Sequence, residues 1–465
     1  MVKKKKDMGK SRTSRKKAAC SPRCPIVGIG ASAGGLEAFQ DFFDNMPSNS
    51  GMAFVLVPHL APEHKSMMVE LLSKHTDMTI SEAKDGTIVE KNKVYIIPPN
   101  KDMELFNQRI QLLKPKIVTI RHPIDRFFTS LAREQKDRAI CIILSGTGTE
   151  GTIGLKEIKE EGGLVIVQDA KTSRYDGMPR SAISTGLVDY VLPVKNMPKI
   201  LLKYIKTLPA PGLDEPSTIL QTPYAPLEKI FMLIRNQRGN DFSLYKKTTI
   251  LRRITKRMSI HGISKMDNYV TYLRSHPTEI EKLEKELMIG VTYFFREPKS
   301  FNYLKKAIIP KLFKQKEQDA SIRIWVPGCS TGEEAYSIAI LFQEYMDEKN
   351  KHLNVQIFGT DIDEDAIKKA RAGIFPASIK DNVSSARLKR FFTKKKQAYK
   401  VNSDIREKVV FAVHNVVKNA PFSKLDIISC RNLLIYLESK LQSYLTKLFH
   451  YALNEEGYLT VGHSE

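Results

Sequence analysis

Short apolar runs alternate with helical patterns in two stretches of this 465-residue chain, and this alternation limits the possible folds more than any other feature. In residues 25–207 the runs are IVGIGA, AFVLVP, KVYIIPP, AICIILSG and GLVIVQD. The segments between several of them have helical spacing, as in LEAFQDFFDNM and HKSMMVELLSKH. Strands that alternate with helices are typical of a parallel sheet with helices on both faces. Residues 25–207 are therefore predicted to form a doubly wound α/β domain.

The pattern then changes twice along the chain. Residues 208–226 are rich in proline and have no periodicity, which is typical of a linker. Residues 227–290 hold four segments with helical spacing and predict a small all-helical module. Alternation returns in residues 291–465, where IRIWVPG, VQIFGTDID and LDIISCRN read as strands. The predicted fold class is α/β, with two doubly wound, mostly parallel-sheet domains separated by a linker and a small all-helical module.

Charge and cysteine usage limit the compartment and the ligands. The net charge is +23, and residues 1–24 alone carry seven Lys, three Arg and one Asp. This segment predicts a solvated, disordered tail, and nucleic-acid binding is disfavoured because no aromatic residues interleave with the lysines. The five cysteines form neither a disulfide framework nor a metal pattern. No apolar stretch is long enough for a membrane span, and we expect a cytoplasmic protein without a bound metal.

The segment VGIGASAGG predicts a strand, a tight turn and a helix, with Ser32 at the helix start. Free N–H groups at such a position can stabilise an oxyanion. The next strand ends at His59, and the loop SGTGTEGTIG after a later strand offers Glu150. Because carboxyl ends of parallel strands gather at one edge, these three side chains are candidates for a nucleophile, a base and an orienting acid. A dinucleotide-binding loop is the alternative interpretation of the glycines.

A second turn, IRIWVPGCSTGEEAYSIAI, presents Glu333 and Glu334 at the start of a helix. The following strand ends at Asp361, which is where an acid can bind a ribose diol in such a sheet. The turn has no Walker lysine, so a nucleoside triphosphate is disfavoured. These residues alone leave NAD and S-adenosylmethionine both open.

Five segments of the first domain resemble the catalytic domain of CheB-type protein-glutamate methylesterases. They are GIGASAGG, VPHLAPEH, VYIIPPN, LSGTGTEGTIG and QDAKTSRYDGMPRSAI, in this order. The resemblance implies that Ser32 is the nucleophile and His59 the general base. It places Glu150 in the position of the third residue, where the family usually has Asp.

The rest of the chain is similar to CheR-type protein-glutamate O-methyltransferases. The segments are YKKTTILRRITKRM, GVTYFFREP, CSTGEEAYSIA, GTDID, FAVHNVV and DIISCRNLLIYL. This resemblance implies S-adenosylmethionine as cofactor, with one of the paired glutamates in the site. The residues implied to bind it are Thr292, Arg296, Glu333, Glu334, Asp361, Asn415, Val416, Arg431 and Asn432. Gly290 departs from the Asn of some members. Family members also continue past GHSE, so we expect an incomplete C-terminus.

The segment KKTTILRRITKR carries six basic residues and no acid. A solvated helix face is the ordinary outcome for such a run. The methyltransferase resemblance favours a dock for an acidic receptor helix, and complementary charge supports it. The predicted docking residues are Lys246, Arg252, Arg253, Lys256 and Arg257.

Together these features predict a bifunctional signalling enzyme of the chemotaxis type. One half would methylate receptor glutamates with S-adenosylmethionine, and the other would hydrolyse the methyl esters. The partner would be an acidic helix of a chemoreceptor or a similar signalling protein. One alternative is a methyltransferase and scaffold whose esterase half is inactive because of Glu150. A nucleic-acid-binding protein led by the basic tail is the other.

Overall fold

The protein is described by a computed structural model. The described residues are 24–59, 67–115, 121–208, 224–317, 320–396, 398–463 and 465. Nearly all of the predicted tail and most of the predicted linker lie outside them. In the part of the chain that the structure describes, no helix combines the length and the apolar character that crossing a membrane requires.

The first domain is a seven-stranded parallel sheet with helices on both faces. Its strands, with a separate β5–β6 hairpin, are β1 Ile26–Ala31, β2 Ala53–Pro58, β3 Thr79–Glu82, β4 Lys93–Ile96, β5 Asp102–Phe106, β6 Arg109–Leu113, β7 Ile140–Ile143, β8 Leu164–Gln168 and β9 Tyr190–Leu192. The sheet order is β3-β4-β2-β1-β7-β8-β9, with every pair parallel. The helices are α1 Gly35–Asp44, α2 Met68–Leu72, α3 Pro123–Gln135, α4 Thr152–Glu160, α5 Gly177–Ser184 and α6 Met197–Thr207.

Helices on each face bury one set of side chains from the alternating strands. Helices α3, α4 and α5 cover one face, and α1, α2 and α6 cover the other. The central strand β1 is buried along its whole length. A Cβ at Gly30 would lie 2.5 Å from Ile124, and one at Gly28 would lie 3.0 Å from Phe127. These two glycines therefore let α3 approach the sheet, while the turn itself uses Gly34, whose φ of 71° suits glycine.

Four helices form the predicted all-helical module. They are α7 Tyr224–Arg238, α8 Lys247–His261, α9 Met266–Ser275 and α10 Pro277–Met288. Their apolar residues share one core that includes Ile230, Ile254 and Leu283. The prediction from helical spacing is confirmed for all four segments.

The third unit is a five-stranded parallel sheet of order β15-β11-β10-β16-β17. A three-stranded antiparallel sheet of order β12-β14-β13 is inserted in it, which the sequence analysis did not anticipate. The strands are β10 Ser321–Pro327, β11 Asn354–Asp361, β12 Ile374–Pro376, β13 Phe392–Lys394, β14 Ala398–Val401, β15 Val409–Val413, β16 Leu425–Cys430 and β17 Leu453–Val461. The helices are α11 Pro298–Tyr303, α12 Ile309–Gln315, α13 Glu333–Lys349, α14 Glu364–Ala372, α15 Ser385–Phe391, α16 Ser403–Arg406 and α17 Ser439–Ala452. The predicted α/β fold class is confirmed.

A buried charged cluster joins the first domain to the helical module. Lys159 lies 2.7 Å from Asp189 and 2.8 Å from Glu286. Lys256 lies 3.0 Å from Asp189 and 3.1 Å from Glu286. Burial alone would raise the pKa of Glu286, but the facing lysines lower it well below its ordinary range. Arg253 adds a third cation, 3.6 Å from Glu286, so three basic and two acidic side chains meet in a largely buried interface.

Candidate functional sites

Ser32 lies on the turn between β1 and α1, at the carboxyl edge of the first sheet. Its N–H donates to the carbonyl of Ser145 at 3.0 Å, and its carbonyl accepts from Gly35 at 2.9 Å. A Cβ at Gly146 would lie 2.9 Å from the Cβ of Ser32. The loop after β7 therefore packs directly on the serine turn, and only glycine fits there.

His59 follows β2, and Glu150 follows β7, so both lie at the same edge of the sheet. The backbone N–H of His59 donates to Ala31, the residue before Ser32, at 2.8 Å. Glu150 Oε2 lies 2.8 Å from His59 Nδ1, and its Oε1 accepts from the N–H of Ile124 at 2.7 Å. The structure thus brings the predicted base and acid into contact, on strands adjacent to the one that carries the serine.

The two side chains of this contact differ in their exposure to solvent. The His59 side chain is 43% exposed, whereas that of Glu150 is 7% exposed. The contact with Glu150 raises the pKa of His59 above its ordinary value, because the carboxylate favours the protonated ring. A histidine held in this way can accept a proton from a neighbouring hydroxyl and remain stabilised as an imidazolium.

The second candidate site is a cavity at the carboxyl edge of the second sheet, closed by the end of α10. Eight of the nine predicted cofactor residues line it: Thr292, Arg296, Glu334, Asp361, Asn415, Val416, Arg431 and Asn432. Sequence reasoning missed further lining residues: Tyr245, Ser330, Asp363, His414 and Tyr436. Tyr436 could have been predicted from the sequence, because it lies four residues after Asn432 in the segment DIISCRNLLIYL quoted above.

Asp361 shapes the cofactor turn as well as lining the cavity. Its Oδ2 accepts from the N–H of Ser330 at 2.8 Å, and its Oδ1 accepts from that of Asp363 at 2.9 Å. Burial raises its pKa, and these backbone donors oppose the rise. Each carboxylate oxygen can accept a second hydrogen bond. The carboxylate can therefore hold the turn and still bind a hydroxyl.

The structure separates the paired glutamates. Glu334 lines the cavity, and its Oε1 accepts from Ser429 at 2.6 Å. Glu333 does not line this cavity; its Oε2 accepts from Thr331 Oγ1 at 2.6 Å. Adjacent residues at a helix start point in different directions, so only one of the pair can face the site. That residue is Glu334.

Two arginines lie at different depths of the cavity. The Arg431 side chain is only 4% exposed, lies 3.7 Å from Glu334, and donates to the carbonyl of Arg296 at 2.7 Å. Its Nε is buried and has no hydrogen-bond partner among the described residues. Arg296 lies at the rim, where its Nη2 donates to Glu160 of the first domain.

The remaining predicted cofactor residues serve the loops of the cavity. Asn415 Oδ1 accepts from the N–H of Val417 at 2.9 Å, which fixes the turn that carries Val416. The carbonyl of Thr292 accepts from Lys156 of the first domain at 2.9 Å. Asn432 has a φ of 59°, a left-handed conformation that Asn tolerates.

This donor set fits S-adenosylmethionine. The carboxylates of Asp361 and Glu334 suit ribose hydroxyls and an ammonium group, and the unpartnered Nε of Arg431 suits a carboxylate. Among the described residues that line the cavity there is no lysine of the kind that a P-loop uses to bind a nucleoside triphosphate. The residues present therefore match a nucleoside that carries an amino acid and no phosphate.

The basic helix α8 differs from its predicted role. Arg253, Lys256 and Arg257 are buried, so they do not form the exposed receptor dock that the sequence predicted. Arg253 donates to the carbonyl of Glu160 at 2.9 Å, and Lys256 to that of Gly163 at 2.7 Å. Glu160 is the last residue of α4, and Gly163 lies in the loop that follows. A cation is favourable there because the carbonyl groups at the C-terminus of a helix carry partial negative charge.

The other docking candidates have separate surroundings. Arg257 pairs with Glu279 at 2.6 Å inside the helical module. Lys246 and Arg252 are partly exposed, and docking through them stays a prediction. The prediction of a receptor dock is therefore wrong for Arg253 and Lys256, which contact the first domain of the same chain, and for Arg257, which pairs within the helical module.

Family models match three consecutive parts of the chain. The model described as CheB methylesterase matches residues 27–201. The model for the all-alpha domain of CheR methyltransferase matches 225–288, and that for its SAM binding domain matches 290–465. The chain thus contains a CheB methylesterase domain, hereafter the esterase domain, and both domains of a CheR methyltransferase.

Similar proteins match most of the chain or one of its halves. An uncharacterized 104.1 kDa protein of Rhodobacter capsulatus is 34% identical over 86% of this chain and 44% of its own length. A protein-glutamate methylesterase/protein-glutamine glutaminase of Pyrococcus horikoshii is 32% identical over 40% of this chain and 52% of its own. A chemotaxis protein methyltransferase of Borreliella burgdorferi is 32% identical over 51% of this chain and 87% of its own. The chain therefore belongs to the CheR methyltransferase family and carries a CheB methylesterase domain on the same polypeptide.

Proposed function

We propose that this chain both methylates glutamate side chains of a receptor-type signalling protein and hydrolyses the resulting methyl esters. The observation that carries the proposal is the presence in one chain of a cavity suited to S-adenosylmethionine and of a paired histidine and glutamate beside an edge serine. The preferred partner is an acidic receptor helix that bears glutamates. Lys246 and Arg252 remain candidates for its first contact.

The esterase half would act through a covalent intermediate. Ser32 Oγ attacks the ester carbonyl while His59 accepts its proton, and as the bond to the methoxy group breaks the imidazolium gives that proton to the methoxy oxygen, which leaves as methanol. A water activated by His59 hydrolyses the acyl-serine and regenerates the free carboxylate. Glu150 orients the ring through Nδ1 and stabilises its charge. The 2.8 Å contact supports this reading over an inactive esterase, since the longer side chain still reaches the histidine.

The transferase half needs little acid–base help from the protein. When bound, S-adenosylmethionine supplies a methyl group on an already activated sulfonium. Asp361, Glu334 and Arg431 would bind and orient the cofactor, and alignment of donor and acceptor is then the main contribution to the rate. Closure of the cavity by α10 and the 431–437 segment limits access of water.

Two independent measurements test the proposal on the full chain. Methanol release from a methyl-esterified glutamate peptide should be lost in Ser32→Ala, and S-adenosylhomocysteine binding by calorimetry should be unchanged in that variant. Asp361→Ala should weaken that binding and leave methanol release intact. Absence of methanol release by the wild type would contradict the esterase half, and absence of nucleoside binding would contradict the transferase half.

A further inference from the structure

A glutamate of the esterase domain reaches the rim of the methyltransferase cavity. Glu160 is the last residue of α4, and both of its carboxylate oxygens accept from Arg296 Nη2, at 2.5 and 2.6 Å. The two side chains are 17% and 13% exposed. A carboxylate therefore already lies at the rim of a site whose proposed acceptor is itself a glutamate carboxylate.

Contacts along α4 hold this carboxylate in place. Arg253 of the helical module donates to the carbonyl of Glu160 at 2.9 Å. One turn earlier, Lys156 donates to the carbonyl of Thr292 on the cavity wall at 2.9 Å. The helix is thus fixed to both parts of the methyltransferase, and Glu160 is not a loosely placed surface side chain.

The two arginines of the cavity face different ligands. Arg431 is directed inward, among Glu334, Glu297 and the backbone, and suits the cofactor carboxylate. Arg296 is directed outward to Glu160, although it also lines the cavity. An outward arginine beside the cofactor is the group that an incoming carboxylate would meet first.

Tyr436 also lies at the rim of the cofactor cavity. It lines the cofactor cavity, and it also lines a neighbouring cleft together with Glu160. Burial and the Glu160 carboxylate both raise the pKa of its phenol, so the phenol stays protonated and can donate. Arg296 and Tyr436 thus offer a cation and a hydroxyl at one opening.

We propose that Glu160 is an internal substrate mimic, whose carboxylate occupies the position at Arg296 and Tyr436 that a receptor glutamate takes for methyl transfer. This inference rests on the proposed methyltransferase function. The receptor must then displace Glu160 before its own glutamate can bind. The same displacement would uncover Arg253 and Lys256, the basic residues that α4 and the loop after it now cover.

The test compares Glu160→Gln with the matched control Glu161→Gln in the full chain. Glu161 lines the same cleft, but it faces Arg252 instead of Arg296. The probe is a synthetic helical peptide with glutamate side chains, titrated by calorimetry with S-adenosylhomocysteine present so that no turnover occurs. We expect Glu160→Gln to bind the peptide about 10-fold more tightly, because a neutral amide competes less well for an arginine. The control should stay within about twofold of the wild type.

A second variant separates substrate binding from cofactor binding. Because Arg296 also lines the cofactor cavity, Arg296→Met should weaken the peptide affinity by a larger factor than the S-adenosylhomocysteine affinity. If nucleoside affinity fell and peptide affinity did not, Arg296 would be a cofactor ligand and the inference would be wrong. A merely structural Glu160 would lower the unfolding midpoint of Glu160→Gln without tightening peptide binding, and that result would also overturn it.

The outcomes distinguish this inference from the proposed function. Equal peptide affinities of the wild type and Glu160→Gln, with methyl transfer to the peptide intact, would overturn the mimic and leave the function standing. Lack of transfer by both proteins would contradict the function. The affinities measured without turnover would still decide whether Glu160 competes with the peptide.

Discussion

The serine turn and the cofactor turn are built alike but bounded differently. Both join a buried strand to a helix through left-handed glycines, Gly34 in the first and Gly328 and Gly332 in the second. The candidate triad at the serine turn comes from one domain, and its histidine is 43% exposed. The cofactor cavity is enclosed, and its rim arginine is paired with a residue of the other domain.

Ester hydrolysis should therefore depend on residues of one domain, whereas methylation should also depend on how the two domains pack against each other. Ser32 is partly exposed, and its candidate partners His59 and Glu150 belong to the same domain, although the neighbouring Thr149 donates to Asp381 of the methyltransferase at 2.8 Å. On the proposed function, a receptor glutamate would approach the cavity past Arg296, which Glu160 of α4 occupies in the structure. We therefore expect substitutions at the seam between the domains to change methylation much more than ester hydrolysis, and substitutions within the triad to do the opposite.

The largest effect is expected for Glu150→Gln. The amide cannot stabilise an imidazolium on His59, and loss of that charge in comparable triads costs roughly 10⁴-fold in kcat. Methanol release should fall by about 10³- to 10⁴-fold while S-adenosylhomocysteine binding is unchanged. Glu150→Asp is the matched variant, since it keeps the charge but withdraws it by about one bond length, and it should fall in between.

The pH profile tests the same residue independently. As a general base His59 acts when neutral, so esterase activity should rise with pH as its ring loses the proton. Glu150 raises the pKa of His59, so in the wild type this rise lies above the ordinary range for histidine. Glu150→Gln should move it to lower pH. An unmoved profile together with an unchanged rate would show that the contact is not part of catalysis.

The next largest effect is expected for Lys256→Met, in the charged interface between the esterase domain and the helical module. The thioether fills similar space but leaves Asp189 with Lys159 alone among the described residues, while Glu286 keeps Lys159 and, at 3.6 Å, Arg253. Removing one partner of a buried ion pair costs about 3 kcal/mol. Trp325 is the sole tryptophan of the chain and is buried in the second sheet, so its fluorescence in urea follows the unfolding of the methyltransferase domain. We expect a lower midpoint at pH 7 and ester hydrolysis within about twofold of the wild type.

The contribution of this charged cluster to the stability of the wild type should decrease at acid pH. The pKa of Glu286 is lowered in the folded protein, so its contribution is complete above its unfolded pKa, about pH 4.3, and is lost as pH falls through the lowered value. Without Lys256 that pKa rises toward its unfolded value, so the part of the stability that acid removes should be smaller in the variant than in the wild type. A midpoint that Lys256→Met leaves unchanged at pH 7 would show that the cluster does not stabilise the seam.

Much of the fold was predictable because its signals are local. The buried runs and the helical spacing predicted the strands β1, β2, β4, β7 and β8 of the first sheet and β10, β11 and β16 of the second, but not the edge strands β3, β9 and β15. The predicted strand ends placed His59 near Glu150 and Asp361 near the cofactor turn. The antiparallel strands β12–β14 were missed, since each has only three or four residues and little alternation. Glu160 was also missed, because its partner Arg296 lies 136 residues away and nothing in either segment signals the pairing.

A smaller effect should resolve the paired glutamates. Glu334→Gln removes a carboxylate from the cavity wall, whereas Glu333→Gln alters one that contacts Thr331 outside it. A hydrogen bond to a charged group contributes about 1.5 kcal/mol, so Glu334→Gln should weaken S-adenosylhomocysteine about 10-fold. Calorimetry at pH 7 should find Glu333→Gln within twofold of the wild type. A larger loss of affinity in Glu333→Gln than in Glu334→Gln would show that Glu333, and not Glu334, binds the cofactor.

The smallest effect is expected at the exposed edge of the methyltransferase. Lys285 lies 2.8 Å from Asp365 and 3.1 Å from Glu281, and all three side chains are about half exposed. Such pairs contribute less than about 0.5 kcal/mol and are screened by salt. Lys285→Ala should therefore barely shift the Trp325 midpoint in urea, and less so at 0.5 M salt. A shift as large as that of Lys256→Met would mean that burial does not set the strength of these contacts, and the contrast between an open and an enclosed site would need another cause.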